Sequence, residues 1–236
     1  MTNRFRNYTM IFKPKFLLIK EVPLLFWSSP KALTITPPFV SVIFLIIGLT
    51  LFGLGEALLV ASGVGVSPWT VLAQGITHIT GWSIGFATFV TSFVVLFFWI
   101  PLRQIPGIGT ILNAVIISLV LEFLLPFLPT FENYIFKISE AIVGVLVTGL
   151  GGGLYLIANL GPGPRDGLMT GLQKVTDLPI AWVRSGLELA VIAAGWILGG
   201  TVGIGTVLFA LGIGPSVAAS MYVLRSIFTD SSIKKY

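Results

Sequence analysis

Residues 161–169 read Gly-Pro-Gly-Pro-Arg-Asp-Gly-Leu-Met and interrupt an otherwise apolar part of the chain. Proline lacks a backbone N–H and restricts the residue before it, so Pro162 and Pro164 prevent one continuous helix here. Gly163 followed by Pro164 is typical of the cap and first turn of a new helix. The stretch therefore predicts a helix break followed by a short helix.

Arg165 and Asp166 lie at this break, between two segments that are both apolar enough to span a membrane. Charge at membrane depth is costly unless it is paired or hydrated, so the pair predicts a functional site. A helix start with an added arginine suits a carboxylate or phosphate group of a solute. Two alternatives to a solute site remain open at this point. In the first, the stretch is a charged surface loop. In the second, Asp166 caps the turn and pairs with Arg165.

The same pattern occurs twice in the chain, at a constant spacing of 96 residues. The matched positions are mainly glycine and proline, namely Gly53 with Gly149, Gly65 with Gly161, Pro68 with Pro164, Gly75 with Gly171, Gly107 with Gly203 and Gly109 with Gly205. Apolar composition alone does not place such residues in register. The sequence therefore predicts an internal duplication.

The composition is that of a membrane protein. Hydrophobic residues make up 55% of the 236 residues, charged residues only 10%, and the mean hydropathy is +0.99. Without cysteine and with His78 as its one histidine, the sequence excludes thiolate and multi-histidine metal sites, and no cofactor is expected. The net charge of +5 comes mostly from the two ends, which indicates membrane orientation rather than nucleic-acid binding.

Apolar segments of about 20 residues predict transmembrane helices. They lie at roughly 39–61, 83–101, 107–128, 137–160, 181–199 and 203–225. A helix too short to cross follows the first span of each half, and we expect it to be re-entrant or interfacial. The predicted fold is an all-α polytopic membrane protein of about six transmembrane helices. Its predicted parts are a basic cytoplasmic tail with an interfacial segment (1–38), a first repeat (39–134), a second repeat (135–228) and a cytoplasmic C-terminal tail (229–236).

Each predicted repeat has three spans, and an odd number decides the orientation of the second copy. Successive three-span units enter the bilayer from opposite sides, which gives a 3+3 inverted repeat. With the N-terminus inside, Arg103, Lys174 and Arg225 all fall at cytoplasmic ends, as the positive-inside rule requires. We therefore expect a multi-pass protein of the bacterial inner membrane with both termini in the cytoplasm. Trp82 and Trp99 bracket the second span as interfacial anchors would. An oligomer is compatible with the sequence, which does not define its order.

Several motifs resemble those of the bacterial YczE-like integral membrane proteins, within the broader YczE/YyaS/YitT group. They are residues 161–169, Val183-Arg184, Glu188, 195–200 and 203–206 in the second half, and Pro68-Trp69, Gln74-Gly75, 100–104 and 107–113 in the first. The resemblance covers about residues 40–225 and leaves out the basic tail. It implies a polytopic bacterial inner-membrane protein, but it implies no substrate.

The first half departs from the family's pattern, which usually reads Pro-Trp-Asp followed by Leu-His-Gln-Gly. Here Thr70 stands at the aspartate position and Ala73 at the histidine position. In the repeat register Thr70 matches Asp166, so the two half-helices keep one acid instead of two. A proton or cation coupling that required both acids would lack its first-half member.

Further polar residues complete the candidate solute site, which also includes Trp69 and Thr70. Arg184 and Glu188 lie four residues apart on one helical face and are predicted to pair. The pair is either structural or part of a binding site. Glu56 has no partner three or four residues away in its span, so it faces an aqueous cavity or meets an arginine elsewhere.

The matching broken half-helices favour a small secondary transporter or permease-like protein, with its solute site between the inverted repeats. The alternatives are a channel built from the same repeats and a membrane scaffold or regulatory partner without transport. An enzyme is least favoured, because the chain has no Gly-x-Ser-x-Gly or His-Glu-x-x-His motif. The expected partners are the lipid bilayer and a small solute, for which an anion fits the candidate site best.

Overall fold

The computed structural model describes residues 22–233, which form eight α-helices and no strand. The helices are α1 (Phe39–Ser62), α2 (Pro68–Thr80), α3 (Ile84–Trp99), α4 (Ile108–Leu124), α5 (Tyr134–Ala158), α6 (Pro164–Thr176), α7 (Ile180–Ile197) and α8 (Ile204–Ile233). A 3₁₀ turn at Leu125–Phe127 continues α4. The predicted all-helical architecture is confirmed, with α2 and α6 as the two short helices.

Five of these helices are candidate membrane spans, and one bent pair of helices is a sixth. In the described part of the chain α1, α5, α7, α8 and α4 with its turn are each long and apolar enough to cross a bilayer. Helix α3 has 16 residues, about 24 Å at 1.5 Å per residue, and so is shorter than a hydrocarbon core of about 30 Å. It passes the same test only together with α2, from which it is bent by 114°. The predicted span at 83–101 is thus shorter than expected.

The short helices α2 and α6 begin and end where the sequence predicts. Each has 13 residues and starts at a proline, Pro68 in α2 and Pro164 in α6. Helix α2 ends at Gly81 and α6 at Asp177, and both of these capping residues have positive φ. Proline at the first position and a left-handed residue after the last one are the ordinary signals of a helix start and a helix end.

The chain bends sharply between each long helix and the short helix that follows it. Helix α1 ends at Gly63 with φ of 66°, and α5 ends at Asn159 with φ of 53°. Two residues further on, Gly65 has φ of 116° and Gly161 has φ of 110°. Only glycine adopts the latter values readily because it has no Cβ. We call residues 63–67 and 159–163 the two elbows.

Each elbow is held by the last helix of the other half. The amide of Gly109, in α4, donates to the carbonyl of Leu160 at 2.7 Å. Reciprocally, the amide of Gly205, in α8, donates to the carbonyl of Val64 at 2.8 Å. A Cβ at Gly203 would clash with that same carbonyl. Close backbone approach therefore explains the repeated glycine motifs, whose members are Gly107, Gly109, Gly203 and Gly205.

The helices pack across the two halves as well as within them. Helix α1 lies along α5, where Gly55 and Gly144 allow the two backbones to approach closely. Helix α2 packs on α7, and α3 packs on α6. Helix α5 also packs on α8 and α1 on α4. These contacts enclose a space between the two halves, near the starts of α2 and α6.

Residues 22–38 are packed on the bundle, whereas we expected all of 1–38 to be a tail. Trp27 is 1% exposed and stacks on Phe44 with a centroid distance of 4.2 Å. Its carbonyl accepts a hydrogen bond from Ser41 at 2.6 Å. At the other end of the chain, α8 continues to Ile233 into the predicted tail at 229–236. The rest of the two predicted tails, 1–21 and 234–236, lies outside the described residues.

Candidate functional site

A cavity of about 280 Å³ lies between the two halves. All eight helices contribute to its wall. Five pairs of lining positions are 96 residues apart in the sequence, namely Trp69 and Arg165, Thr88 and Arg184, Ser92 and Glu188, Asn113 and Phe209, and Ile117 and Ile213. The cavity is therefore surrounded by equivalent positions of the two predicted repeats, although the chemistry at those positions differs.

Arg165 is the second residue of α6, and its guanidinium group lies over the ring of Trp69, 5.3 Å from the centroid. Within residues 22–228 it forms no hydrogen bond and no ion pair, so the alternative in which it forms an ion pair with Asp166 is not what the structure has. It interacts electrostatically with Glu56, Asp166 and Glu188. A cation-π contact of this kind holds the guanidinium in place but leaves its N–H donors available.

Asp166 is bound by a residue that sequence reasoning did not select. Its Oδ2 accepts a hydrogen bond of 2.5 Å from the hydroxyl of Tyr155, on α5. Tyr155 is 6% exposed and lines the cavity. The expected cap of the helix start by Asp166 is not formed in this structure, since α6 has no side-chain cap. The sequence marks Tyr155 as a site residue only by placing its hydroxyl group in an otherwise apolar helix.

Glu56 is buried at the first elbow, with 1% of its surface exposed. Its Oε2 accepts hydrogen bonds from the hydroxyls of Ser67 and Thr70, both at 2.6 Å, and these hydroxyls are 2.9 Å apart. Its Oε1 is buried and has no hydrogen-bond partner in the described part of the chain. Glu56 does not line the cavity and forms no ion pair with an arginine in the described part of the chain, although it interacts electrostatically with Arg165.

Each half therefore joins its long first helix to its half-helix through a carboxylate and a hydroxyl. In the first half the acid is Glu56 on α1 and the hydroxyl is Thr70 on α2. In the second half the hydroxyl is Tyr155 on α5 and the acid is Asp166 on α6. The first half keeps a carboxylate at its half-helix after all, since Glu56 brings one within hydrogen-bond distance of Thr70.

The predicted pair on α7 is present. Arg184 Nε lies 2.9 Å from Glu188 Oε1, and both residues line the cavity. The two side chains are 48% and 22% exposed. The equivalent positions on α3 hold Thr88 and Ser92, which are buried and neutral. The charged wall of the cavity thus belongs to the second half.

Among the described residues, two buried polar atoms in the cavity lining have no hydrogen-bond partner. Trp69 Nε1 and Thr88 Oγ1 are buried and lack a hydrogen bond among the described residues. Both carboxylate oxygens of Glu140, on α5, share this property, but Glu140 does not line the cavity. Unsatisfied buried polar groups are rare, and a bound ligand is one explanation of them.

Trp99 is not the interfacial anchor that its position suggested. It is 2% exposed, and its Nε1 donates to the carbonyl of Pro164 at 2.9 Å. Its ring also fills the space where a side chain at Gly167 would lie. Trp99 therefore fixes the start of α6, and with it the position of Arg165.

The helices and their central cavity define a polytopic α-helical membrane protein. Its sequence matches, over residues 39–222, the model of a family described as of unknown function (DUF6198), and the chain belongs to that family. An uncharacterized protein of Haemophilus influenzae is 41% identical over 213 residues, which cover 89% of this chain and 95% of that protein. The uncharacterized membrane protein YczE of Bacillus subtilis is 35% identical over 178 residues, covering 73% and 78% of the two chains. These matches confirm the predicted YczE-like membership. No solved structure matches the chain.

Proposed function

We propose that this protein is a secondary transporter of small organic anions, with its solute site in the cavity between the two halves. The observation that carries the proposal is the cavity itself, whose wall is made of equivalent positions from both halves. A site between two repeats is typical of secondary transporters. A volume of about 280 Å³ is at the lower end of the range for ligand pockets and suits a small solute.

The charge of the proposed solute follows from Arg165. Arg165 lines the cavity, and its guanidinium has no ion-pair partner among the described residues. The N-terminus of α6 adds partial positive charge at the same place. Trp69 Nε1 and Thr88 Oγ1 are two more groups that a bound anion would satisfy. Apolar side chains such as Phe52 and Ile213 also line the cavity, and they favour an anion with an apolar part.

We infer further that the two halves are inverted in the membrane of a bacterial cell, with both termini in the cytoplasm. The reciprocal bonds from Gly109 to Leu160 and from Gly205 to Val64 support a two-fold relationship between the halves. The distribution of Arg103, and of the other Lys and Arg residues at segment ends, supports the orientation. Inverted halves allow one central site to face either side of the membrane in turn.

Binding and flux in reconstituted protein test the proposal. The probes are benzenesulfonate, pyruvate and inorganic phosphate, which differ in charge and apolar area. We expect at least one of them to bind and to show saturable uptake into proteoliposomes. Arg165→Gln should weaken binding by at least about tenfold, since a charge-assisted hydrogen bond is lost. Arg225→Gln is the matched control, because Arg225 is exposed near the end of α8.

The same measurements separate the alternatives. Large unitary currents with no saturation would identify a channel instead. An absence of binding and flux for every probe, with a stable partner copurifying, would identify a scaffold. Equal binding by wild type and Arg165→Gln would place the solute elsewhere. Each of these outcomes contradicts the proposal.

A further inference from the structure

Glu56 is a buried acid that the solute site does not use directly. It lies outside the cavity lining, and one of its two carboxylate oxygens has no hydrogen-bond partner in the described part of the chain. A buried carboxylate with an unsatisfied oxygen is costly inside a membrane protein. A proton on Oε1 removes that cost because the acid becomes neutral, while Oε2 keeps its bonds to Ser67 and Thr70.

Glu56 is connected to the solute site through two neighbouring residues of α2. Thr70 donates to Glu56 at 2.6 Å, and Trp69, the residue before it, lies under the guanidinium of Arg165. Arg165 and Glu56 also interact electrostatically. Negative charge brought to Arg165 therefore changes the electrostatic environment of Glu56, and it does so in the direction that favours a proton on the carboxylate.

Other titratable groups lie on the elements around α1, but they differ from Glu56 in exposure or in position. Tyr155 is bonded to Asp166, whereas Glu122 is exposed. Glu140 is buried, but it precedes Tyr155 on α5 by about 22 Å at 1.5 Å per residue, and it does not line the cavity. On the described elements packed against α1 and its elbow the titratable groups are Tyr134, Lys137, Glu140 and Tyr155 on α5, Glu122 on α4, His78 on α2, Tyr222 and Arg225 on α8, and Lys31 before α1.

We propose that Glu56 binds a proton together with the anion at Arg165, so that transport is a proton–anion symport. The inference rests on the proposed function. The proton enters as Glu56 becomes neutral and leaves to the opposite side when the anion is released, so that Glu56 returns to the carboxylate. Because the coupling is reciprocal, the anion binds more tightly when Glu56 is protonated.

Benzenesulfonate is the probe, because it stays anionic over the working pH range and carries no proton itself. Calorimetric titrations in buffers of different ionisation enthalpy count the protons taken up per anion bound. Within the working pH range, proton uptake by the wild-type protein should reach close to one proton per sulfonate. Glu56→Gln should take up none, and its affinity should be independent of pH and equal to that of the wild type at low pH.

Two variants keep the test independent of a folding defect. Glu122→Gln makes the same chemical change at an exposed site on α4, and it should behave as the wild type does. Glu56→Asp keeps the carboxyl group and should keep proton uptake. In proteoliposomes an inward proton gradient should drive sulfonate accumulation by the wild type but not by Glu56→Gln.

The outcomes distinguish this inference from the proposed function. Sulfonate binding without proton uptake, or equal uptake by Glu56→Gln and wild type, overturns the symport alone. Sulfonate flux that requires sodium and carries no protons also overturns it. Failure of every anion to bind overturns the proposed function, and the symport with it.

Discussion

The hydroxyl of Tyr155 donates a hydrogen bond of 2.5 Å to Asp166 and so joins α5 to the start of α6. The first half has a similar link with the roles exchanged, since Thr70 on α2 donates to Glu56 on α1 at 2.6 Å. Both links fix the half-helix that carries a wall of the cavity. The similarity of the two links cannot be seen in the sequence. The acid and the hydroxyl exchange helices between the halves, and Glu56 and Tyr155 are not equivalent positions in the 96-residue register.

Tyr155→Phe should destabilise the protein and impair anion binding. The substitution removes the hydrogen bond to the carboxylate of Asp166, which is half-buried beside the cavity, and a hydrogen bond to a charged group contributes about 1.5–3 kcal/mol. The midpoint of thermal unfolding in detergent and the affinity for benzenesulfonate measure the two effects. Tyr222→Phe is the control, since Tyr222 on α8 is 40% exposed. Equal melting and equal affinity for Tyr155→Phe and wild type would show that the bond is not needed.

The elbow glycines should tolerate substitution according to their backbone angles. Gly161→Ala and Gly65→Ala place a Cβ at φ of 110° and 116°, in contact with the opposite helix start. We expect a loss of about 1–3 kcal/mol for each. Gly63→Asn should be close to neutral, because its φ is 66° and the equivalent Asn159 adopts 53°. Thermal unfolding of the three variants checks the ranking, and a harmful Gly63→Asn would contradict it.

The packing of Trp99 on Gly167 provides a second glycine comparison. A Cβ at Gly167 would overlap the Trp99 ring, which cannot move without losing its bond to Pro164. Gly167→Ala should therefore cost about 1–3 kcal/mol. Gly186→Ala on α7 meets nothing within 4 Å, and it should be neutral or stabilising by about 0.5 kcal/mol. Similar melting temperatures for both variants would rule out tight packing at Gly167.

The inverted arrangement predicts that the ends of α2 and α6 lie on opposite faces of the membrane. The chain has no cysteine, so single-cysteine variants need no further background changes. Thr80→Cys and Thr176→Cys place thiols at two exposed helix ends. With a membrane-impermeant thiol reagent, Thr80→Cys should label in intact cells, and Thr176→Cys should label only after the membrane is opened. Labelling of both from one side would refute the inversion.

The segment before α1 should contribute to stability as part of the core. Trp27 is buried against Phe44, so Trp27→Ala should cost about 3 kcal/mol. Leu24→Ala, at a position that is 67% exposed, should change the melting temperature little. Thermal unfolding of the purified variants compares them. A stable Trp27→Ala would mean that residues 22–38 act as a tail.

Local signals in the sequence predicted the helices closely. Proline at Pro68 and Pro164 starts the two half-helices, and glycine or asparagine ends the helices before them. The pair of Arg184 and Glu188 was predicted for the same reason, because residues four apart on a helix are neighbours. Such features depend on a few consecutive residues, so they can be read without knowing the fold.

The partners of the two acids Glu56 and Asp166 were not predictable in this way. One alternative paired Asp166 with Arg165, its neighbour in sequence, whereas the hydrogen bond to Asp166 comes from Tyr155, on another helix. Glu56 was assigned an aqueous or arginine partner, and it binds hydroxyls beyond the first elbow. These contacts depend on how the chain turns at Gly65 and Gly161, which brings groups from different helices together.

The sequence by itself determined that the chain is a membrane-spanning helical bundle with a short helix after each of two glycine–proline breaks, because hydropathy and helix caps are local properties. It also predicts an internal duplication, from glycine and proline residues that recur 96 positions apart. Only the tertiary structure decided which side chains line the central cavity, and which carboxylate meets which hydroxyl. The physical reason is that such contacts are fixed by helix packing and by the angle of each elbow. Such contacts join residues that are far apart in sequence, and no local sequence pattern indicates the distance between those residues.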